Sequence, residues 1–263
     1  MTVAATSSPS RAELCPHLVQ LYRDGEEIAA TVAEFFSEGL SAGEPAIAIA
    51  TDAHLTLFAD RLRDRGYDPG ELQERGMLLL ADAEATLSSL LDNGSPSRVK
   101  FEEIIGGLVG RASEEAGGAP VRAYGEMVDL LWQRRDPDGA VALEELWNDL
   151  GTRMEFSLLC GYRIDIFDRT AQVTFLPQVC RTHSGVVPGH NAGRIEQAVN
   201  TALTETLGRT DAEKVYTLVA AQVREENVPP AQLALMWVSA HMPRTAEHVL
   251  AAARAHYSAS AAA

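Results

Sequence analysis

Two Cys/His pairs stand far apart in the sequence. One residue separates Cys15 from His17, two residues separate Cys180 from His183, and Cys160 ends a predicted strand. Thiolates and imidazoles are the ligands that Zn²⁺ prefers in tetrahedral sites. If folding brings these five residues together, for instance by packing the first helix beside the last, they could hold Zn²⁺ or a haem. The alternative is that the cysteines fill the core and both histidines bond to backbone carbonyls.

A second candidate for chemistry is Glu126, which follows Gly125 at the end of the predicted strand from Val121 to Tyr124. A carboxylate at the end of a buried strand could accept hydrogen bonds from a ligand or act as a general base. The alternatives are that Glu126 pairs with Arg122 or caps the next helix. Its role therefore depends on which side chains the fold places beside it.

The elements that must position these residues alternate between short apolar runs and amphipathic helices. The apolar runs predict four buried strands, at residues 46–50, 77–80, 121–124 and 156–160. This alternation predicts an α/β fold in which helices flank a mostly parallel sheet. Ligands of such sheets bind beyond the carboxyl ends of the strands. Those ends carry Thr51, Asp52, His54, Asp82, Gly125, Glu126, Tyr162 and Arg163.

No stretch of the sequence has the glycine spacing of a phosphate-binding loop. The first strand-to-helix turn, residues 50–54, contains no glycine, and no G-x-G-x-x-G motif follows a predicted strand. The G-x-S-x-G string at residues 39–43 stands where a helical pattern ends in a turn and not between a strand and a helix, so it is not a nucleophile elbow. The sequence therefore argues against ATP hydrolysis, dinucleotide chemistry and enzymatic activity in general, because no catalytic constellation is complete.

Composition and charge exclude several other classes of protein. The 263 residues include 22 basic and 37 acidic side chains, and the resulting net charge of −15 repels phosphate backbones and anionic membranes. A hydrophobic fraction of 46% supports a folded core. Three cysteines, without a signal peptide or a membrane span, are typical of a cytoplasmic protein. We therefore expect neither nucleic-acid binding nor membrane insertion.

The character of the chain changes after residue 188, where strand-like runs cease and helical patterns continue. We predict a disordered tail at 1–10, an α/β domain at 11–188, a helical domain at 189–258 and a frayed tail at 259–263. Pro229, Pro230 and Pro243 divide the helical part into about three helices. These helices could pack on the α/β domain, mediate dimerisation or present a surface to a signalling partner.

Several short phrases in the α/β part, taken in order, resemble those of one protein family. They are HLVQLY (17–22), GLSAGE (39–44), IATDAH (49–54), VRAYGEM (121–127), LEELWN (143–148), LCGY (159–162) and HS (183–184). The ordered set resembles the MEDS family, the methanogen/methylotroph DcmR sensory domain, from about His17 to Pro188.

The resemblance implies a RecA/KaiC-like fold that lacks the phosphate loop and a sensory role without catalysis. Members of the family stand before histidine-kinase or DNA-binding modules and are proposed to sense small organic molecules such as hydrocarbon derivatives. Matching the phrases residue by residue marks the positions His17, Tyr22, Arg122, Glu126, Glu144, Trp147, Asn148, Tyr162 and His183. No kinase signature or clear DNA-binding module follows here, only the helical segment.

We therefore predict a cytoplasmic sensor that binds a small organic ligand at the strand ends and relays its state through the helical tail. Glu126 and Arg122 would hold polar groups of the ligand, and aromatic side chains would supply apolar walls. The predicted binding residues are His17, Tyr22, Thr51, His54, Arg122, Tyr124, Glu126, Trp147, Asn148, Tyr162 and His183.

Alternatives remain open for two of these residues and for the function. Trp147 could simply fill the core, and Asn148 could bond to Glu126 or to a strand carbonyl. A zinc or haem sensor, a pure protein-interaction module and an enzyme that reuses a RecA-like scaffold are the alternative functions. No cofactor is firmly expected, and the expected partners are a histidine kinase, a transcription regulator or a second copy of the chain.

Overall fold

The computed structural model describes residues 16–226 and 228–260. Its strands are β1 (His17–Tyr22), β2 (Ala46–Ala50), β3 (Leu78–Asp82), β4 (Leu91–Asp92), β5 (Ser95–Pro96), β6 (Val121–Gly125), β7 (Phe156–Arg163) and β8 (Gly185–Val186). The predicted tail at 1–10, Cys15 and residues 261–263 lie outside the described residues, whereas Ala259 is the last residue of the final helix.

Helices connect the strands and form the C-terminal part of the chain. They are α1 (Gly25–Ser41), α2 (Asp52–Asp64), α3 (Pro69–Glu74), α4 (Ala83–Leu90), α5 (Arg98–Phe101), α6 (Gly107–Glu115), α7 (Met127–Gln133), α8 (Pro137–Gly151), α9 (Leu176–Thr182), α10 (Ala192–Leu207), α11 (Arg209–Glu226), α12 (Pro230–His241) and α13 (Pro243–Ala259). π-Helical segments at Glu102–Gly106 and Ala171–Phe175 precede α6 and α9.

Six of the strands form one sheet in the order β3-β2-β6-β7-β1-β8, and every neighbouring pair is parallel. The predicted α/β fold with a C-terminal helical segment is confirmed. β2 reads Ala-Ile-Ala-Ile-Ala and is buried throughout, because helices cover both faces of the sheet. The parallel arrangement places Thr51, after β2, beside Glu126, after β6.

Successive residues of the central strands point to opposite faces of the sheet and so enter two separate cores. On one face, Tyr124 of β6 and Leu159 of β7 pack with α1 and α2 residues such as Phe36. On the other face, Cys160 and Tyr162 of β7 share a core with α7, α8 and the C-terminal helices. Neighbouring residues of one strand can therefore belong to unrelated sites.

The four strands predicted from apolar runs are confirmed, but the sequence analysis missed β1. This strand pairs with β7, from His17 opposite Leu158 to Tyr22 opposite Arg163. The expectation that His17 reaches His183 through two packed helices is therefore wrong. The strand was missed because the buried polar residues His17 and Gln20 interrupt its apolar pattern.

The C-terminal segment forms four helices, not the predicted three. Besides the two predicted breaks, Gly208 separates α10 from α11 with φ +79°, a conformation that glycine adopts without steric strain. Val199, Leu235 and Val249 of these helices belong to the same core as one face of the sheet. Within the described ranges, none of the helices combines the length and the apolar character needed to cross a bilayer.

Candidate functional site

Most of the predicted binding residues gather around two buried glutamates. We call the first group the Glu126 cluster: Tyr22, Thr51, His54, Tyr124 and Glu126. We call the second group the Glu144 cluster: His17, Glu144, Asn148, Cys160, Tyr162 and His183. The first lies at the carboxyl ends of β2 and β6, and the second lies between the sheet and α8.

In the Glu126 cluster, hydrogen-bond donors of the protein surround the carboxylate. Glu126 Oε1 accepts the Thr51 backbone N–H, and Oε2 accepts from His54 Nδ1 at 2.6 Å and from the Tyr124 hydroxyl at 3.2 Å. The Tyr22 ring meets the His54 ring edge-on, with centroids 5.7 Å apart. Glu126 stands at the N-cap position of α7 but makes no side-chain capping bond. Its carboxylate links two strand ends instead.

A second carboxylate, Asp129, lies at the same end of the sheet. It accepts the Arg163 backbone N–H at 3.0 Å and the Gln133 side-chain amide at 3.2 Å. Burial raises the pKa of Asp129 to about 6, although these two hydrogen bonds oppose the rise. Burial and the charges of Asp129 and Glu126 also raise the pKa of Tyr22 far above its usual range. This end of the sheet therefore disfavours further negative charge.

In the Glu144 cluster, four potential metal ligands converge on one point. His17 Nε2 lies 3.2 Å from Glu144 Oε2 and 3.3 Å from Cys160 Sγ. His183 Nε2 lies 3.3 Å from Glu144 Oε1, and Cys160 Sγ lies 3.5 Å from Glu144 Oε2. These four ligand atoms all lie within 4.8 Å of one another. The Tyr162 hydroxyl donates to Glu144 Oε1 at 2.6 Å from the side.

Backbone and amide oxygens fix the orientation of both imidazoles. His183 Nδ1 lies 2.7 Å from the carbonyl of Val179, which can only accept, so Nδ1 carries a proton. The Asn148 amide nitrogen donates to the Thr182 carbonyl at 2.9 Å, and this leaves Asn148 Oδ1 to accept from His17 Nδ1 at 2.9 Å. Both histidines therefore direct Nε2 toward the centre of the cluster.

The electrostatics of the Glu144 cluster follow from its burial. Burial by itself raises the pKa of Glu144, but the charges of His183 and His17 beside it outweigh this effect and hold the pKa below its usual range. Burial and the neighbouring Glu144 raise the pKa values of the Cys160 thiol and the Tyr162 hydroxyl. The cluster thus holds a carboxylate that requires positive charge beside it.

Residues 16–184, more than half of the chain, match the family model of MEDS, the MEthanogen/methylotroph, DcmR Sensory domain. The chain belongs to the MEDS family. Both clusters and five of the six strands of the sheet lie within the matched residues, and β8 directly follows them. No curated protein matches the chain. The family resemblance seen in the sequence is therefore confirmed, while the RecA/KaiC-like relationship stays a prediction.

Two predicted binding residues of the MEDS domain lie outside both clusters. Arg122 stands near the amino end of β6 and donates to Glu44 at 2.5 Å, so the alternative in which Glu126 pairs with Arg122 is wrong. Because neighbouring strands are parallel, their amino ends lie opposite the Glu126 cluster. Trp147 is 2% exposed between the rings of Phe101 and Phe156 and fills the core.

The proposed five-residue metal set is only partly assembled. His17, Cys160 and His183 meet, whereas Cys180 packs against Val219 and Leu233 in a separate core. The fourth converging ligand is Glu144, which the family resemblance marked but the Cys/His search omitted. The expected bond between Asn148 and Glu126 is also wrong, because Asn148 bonds to His17 and Thr182. The sequence signal that could have revealed Glu144 as part of this site was its i, i+4 spacing from Asn148 on one helix.

A cleft of about 560 Å³ lies between the MEDS domain and the C-terminal helices, and we call it the helix–sheet cleft. Its apolar wall includes Leu21 of β1, Ile164 after β7 and Ile195 of α10. Arg23 and Glu27 supply polar groups just beyond the carboxyl end of β1. None of the eleven predicted binding residues lines this cleft, because the sequence analysis missed β1 and could not place the C-terminal helices against it.

Proposed function

We propose that this MEDS protein is a sensor that binds a small, largely apolar organic molecule in the helix–sheet cleft and does not convert it chemically. Binding there favours one packing of the C-terminal helices on the MEDS domain. The observation that carries the proposal is that residues of both parts line a single cleft of about 560 Å³. A ligand that touches both parts stabilises the arrangement in which both contacts are made.

The size and lining of the cleft support a small organic ligand. Small-molecule sites span about 300–1,000 Å³ and are mostly apolar with a few polar groups. Here β1, β8 and α10 contribute apolar side chains, among them Leu18, Val186 and Ile195. The cleft runs along β1 and β8, and the part lined by Arg23 and Ile164 lies beyond the carboxyl ends of β1 and β7, where ligands of parallel sheets generally bind.

The polar end of the cleft connects the MEDS domain to the last helix. The Arg23 guanidinium lies 5.3 Å from the centre of the Tyr257 ring of α13. The Tyr257 hydroxyl accepts from the Asn191 amide at 2.6 Å, and both Arg23 and Asn191 line the cleft. Burial raises the pKa of Glu27 beside them. A ligand that displaces Arg23 or Asn191 therefore changes how α13 is held.

The Glu126 cluster is less suited to a ligand, although the sequence analysis favoured it. Its carboxylate already receives three donors from Thr51, His54 and Tyr124. A ligand would have to replace bonds that the protein already makes, which reduces the net gain in free energy. The helix–sheet cleft offers unfilled apolar surface without that penalty.

The C-terminal helices are the proposed output of the sensor. Leu218 of α11 is 57% exposed, and it is one of two large apolar side chains that stand out on the described surface. We propose that a regulatory partner, such as a histidine kinase, a transcription regulator or a second copy of the chain, contacts these helices. Ligand in the cleft would then change the affinity for that partner by population shift.

Native mass spectrometry of the protein as purified, compared with the denatured protein, tests the proposal. We expect a bound mass, distinct from a metal ion, that is lost on denaturation. Ile195→Trp fills the cleft and should abolish this mass, whereas Leu218→Trp adds the same side chain to an exposed position and should retain it. No bound mass in the wild type, or an equal mass in Ile195→Trp, would contradict the proposal.

A further inference from the structure

We propose that the Glu144 cluster binds one Zn²⁺ ion through His17 Nε2, His183 Nε2, Cys160 Sγ and one oxygen of Glu144. Two strands, one helix and one loop contribute these residues: β1, β7, α8 and the segment after α9. The ion would therefore connect strands, a helix and a loop of the MEDS domain that are distant in sequence. This site is separate from the helix–sheet cleft, whose lining contains none of the four residues.

Three of the distances between proposed ligand atoms are close to those of a tetrahedral zinc site. Zinc bonds of about 2.0–2.3 Å to nitrogen, oxygen and sulfur give tetrahedral edges of about 3.3–3.8 Å. His17 Nε2 lies 3.2 Å from Glu144 Oε2 and 3.3 Å from Cys160 Sγ. Cys160 Sγ lies 3.5 Å from Glu144 Oε2, and His183 Nε2 lies 3.3 Å from Oε1. His17 Nε2, Cys160 Sγ and Glu144 Oε2 therefore already have separations close to those edges, and all four ligand atoms lie within 4.8 Å of one another.

The neighbours of the ligands orient them as in known metal sites. A metal-binding histidine generally donates its other ring N–H to an oxygen, and a ligating carboxylate is itself hydrogen-bonded. His17 and His183 both use Nδ1 in this way, on Asn148 Oδ1 and the Val179 carbonyl. The Tyr162 hydroxyl holds Glu144 Oε1, which leaves Oε2 toward the two other ligands.

His183 Nε2 requires a proton or a cation between it and the Glu144 carboxylate, which it faces at 3.3 Å. The side chain of His183 is fully buried, and its Nε2 makes no hydrogen bond within the described residues although it points at the Glu144 carboxylate. Two imidazole lone pairs directed at a carboxylate repel it unless a proton or a cation lies between them. A metal ion satisfies both lone pairs at once.

Charge balance also favours a divalent ion. Binding Zn²⁺ releases the thiol proton of Cys160 to solvent, together with any proton on the two Nε2 atoms. The resulting thiolate, the Glu144 carboxylate and Zn²⁺ then sum to zero charge in a site where Glu144 is 1% and Cys160 is 0% exposed. With four protein ligands and little access to solvent, the site is of the closed, structural kind.

Cobalt substitution of tag-free protein, after chelator treatment, tests the ligand set directly. Co²⁺ bound by a thiolate in a tetrahedral site gives a sulfur-to-metal charge-transfer band and strong visible absorption. We expect both in the wild type at one equivalent, with loss of the colour on adding Zn²⁺. Asn148→Leu releases His17 Nδ1 and should weaken zinc binding by about 10–100-fold.

Alanine variants of the three cysteines serve as controls for one another. Cys160→Ala should lose the charge-transfer band and weaken zinc binding by more than about 100-fold. Cys15→Ala and Cys180→Ala should keep the band and the affinity, because Cys180 lies in a separate core and Cys15 is not in the proposed set. Loss of the band in either of these two variants, with Cys160→Ala unaffected, would overturn the ligand set.

Measurements on the wild type alone also test the proposal, so the proposal can be tested even if a variant fails to fold. Elemental analysis of the protein purified without chelator should give one zinc per chain. Removal of zinc should lower the thermal midpoint, and added Zn²⁺ should restore it. Absence of a cobalt–thiolate band in folded wild type, or full occupancy by a metal other than zinc, would overturn the assignment.

Discussion

The Glu126 and Glu144 clusters each combine a buried glutamate with histidine and tyrosine side chains beside the same sheet, yet the two carboxylates have different neighbours. Glu126 receives a backbone N–H, an imidazole and a hydroxyl, which together satisfy it. Glu144 receives one hydroxyl and faces two imidazole nitrogens and a thiol. The same residue types therefore build a hydrogen-bonded strand connection in one place and a set of metal ligands in the other.

Position on the strands explains the difference. Glu126 follows β6, and there the backbone N–H of Thr51, in the turn after the neighbouring strand β2, is free to donate to it. The His54 side chain at this end of the sheet remains 16% exposed. Glu144 faces the middle of β7, where the strand ladders use the backbone groups and only side chains are available. A carboxylate at the end of a strand can accept hydrogen bonds from free backbone N–H groups. A carboxylate packed on the face of a strand requires hydrogen-bond donors or positive charges from side chains or ions.

Removing each glutamate should give the largest effect and separate the two clusters. In metal-free protein, we expect Glu144→Ala to lower the free energy of unfolding by about 3–5 kcal/mol, because it leaves two buried imidazoles and a hydroxyl without their partner. Glu126→Ala should lower it by about 1–3 kcal/mol, since water can reach that strand end. Urea denaturation measures both. An equal or larger loss for Glu126→Ala would refute the comparison.

Asp129, next to the Glu126 cluster, should make stability depend on pH. Its pKa is raised from 3.8 to about 6, so the unfolded state ionises first and stability falls as pH rises from about 4 to 6. The loss amounts to about 3 kcal/mol. Asp129→Asn cannot ionise and should be more stable than the wild type at pH 8 but not at pH 4.

Urea denaturation at several pH values from 4 to 8 gives the difference in the free energy of unfolding between Asp129→Asn and the wild type. The control Asp92→Asn changes an exposed aspartate and should follow the wild type at each pH. A constant difference between Asp129→Asn and the wild type from pH 4 to 8 would show that Asp129 does not titrate differently in the folded state.

Gly161 lies between two members of the Glu144 cluster but faces the Glu126 cluster. A Cβ at this position would collide with the Tyr124 hydroxyl, which donates to Glu126. We expect Gly161→Ala to lower the free energy of unfolding by about 1–3 kcal/mol while leaving the cobalt spectrum unchanged. Gly151→Ala, whose Cβ would lie 3.8 Å from Phe156, should change stability by less than about 0.5 kcal/mol.

The outcome of Gly161→Ala also tests whether the two faces of the sheet are independent. Calorimetry or urea denaturation gives the stability, and the cobalt charge-transfer band reports on Cys160. If the band shifts or disappears in Gly161→Ala, the two clusters are coupled through β7 and cannot be treated as separate sites.

The sequence by itself determined the strands that are apolar throughout, the parallel α/β class and the family. Alternation of apolar runs such as residues 46–50 with amphipathic helices leaves few other arrangements. The sequence also singled out Glu126, Glu144, His17 and His183 through the family phrases. Local pattern suffices for these features because burial and helical periodicity are properties of neighbouring residues.

Only the tertiary structure decided which of these residues share a site. β1 begins with His17 and places it opposite Leu158, so that it reaches Cys160 and Glu144 across more than a hundred residues of chain. Arg122 lies near the amino end of β6 and Glu126 follows its carboxyl end, and only the packing of the neighbouring elements placed Glu44 beside Arg122. The helix–sheet cleft likewise depends on how four C-terminal helices dock on the edge of the sheet. Strand order and docking arise from long-range packing, which no local spacing encodes.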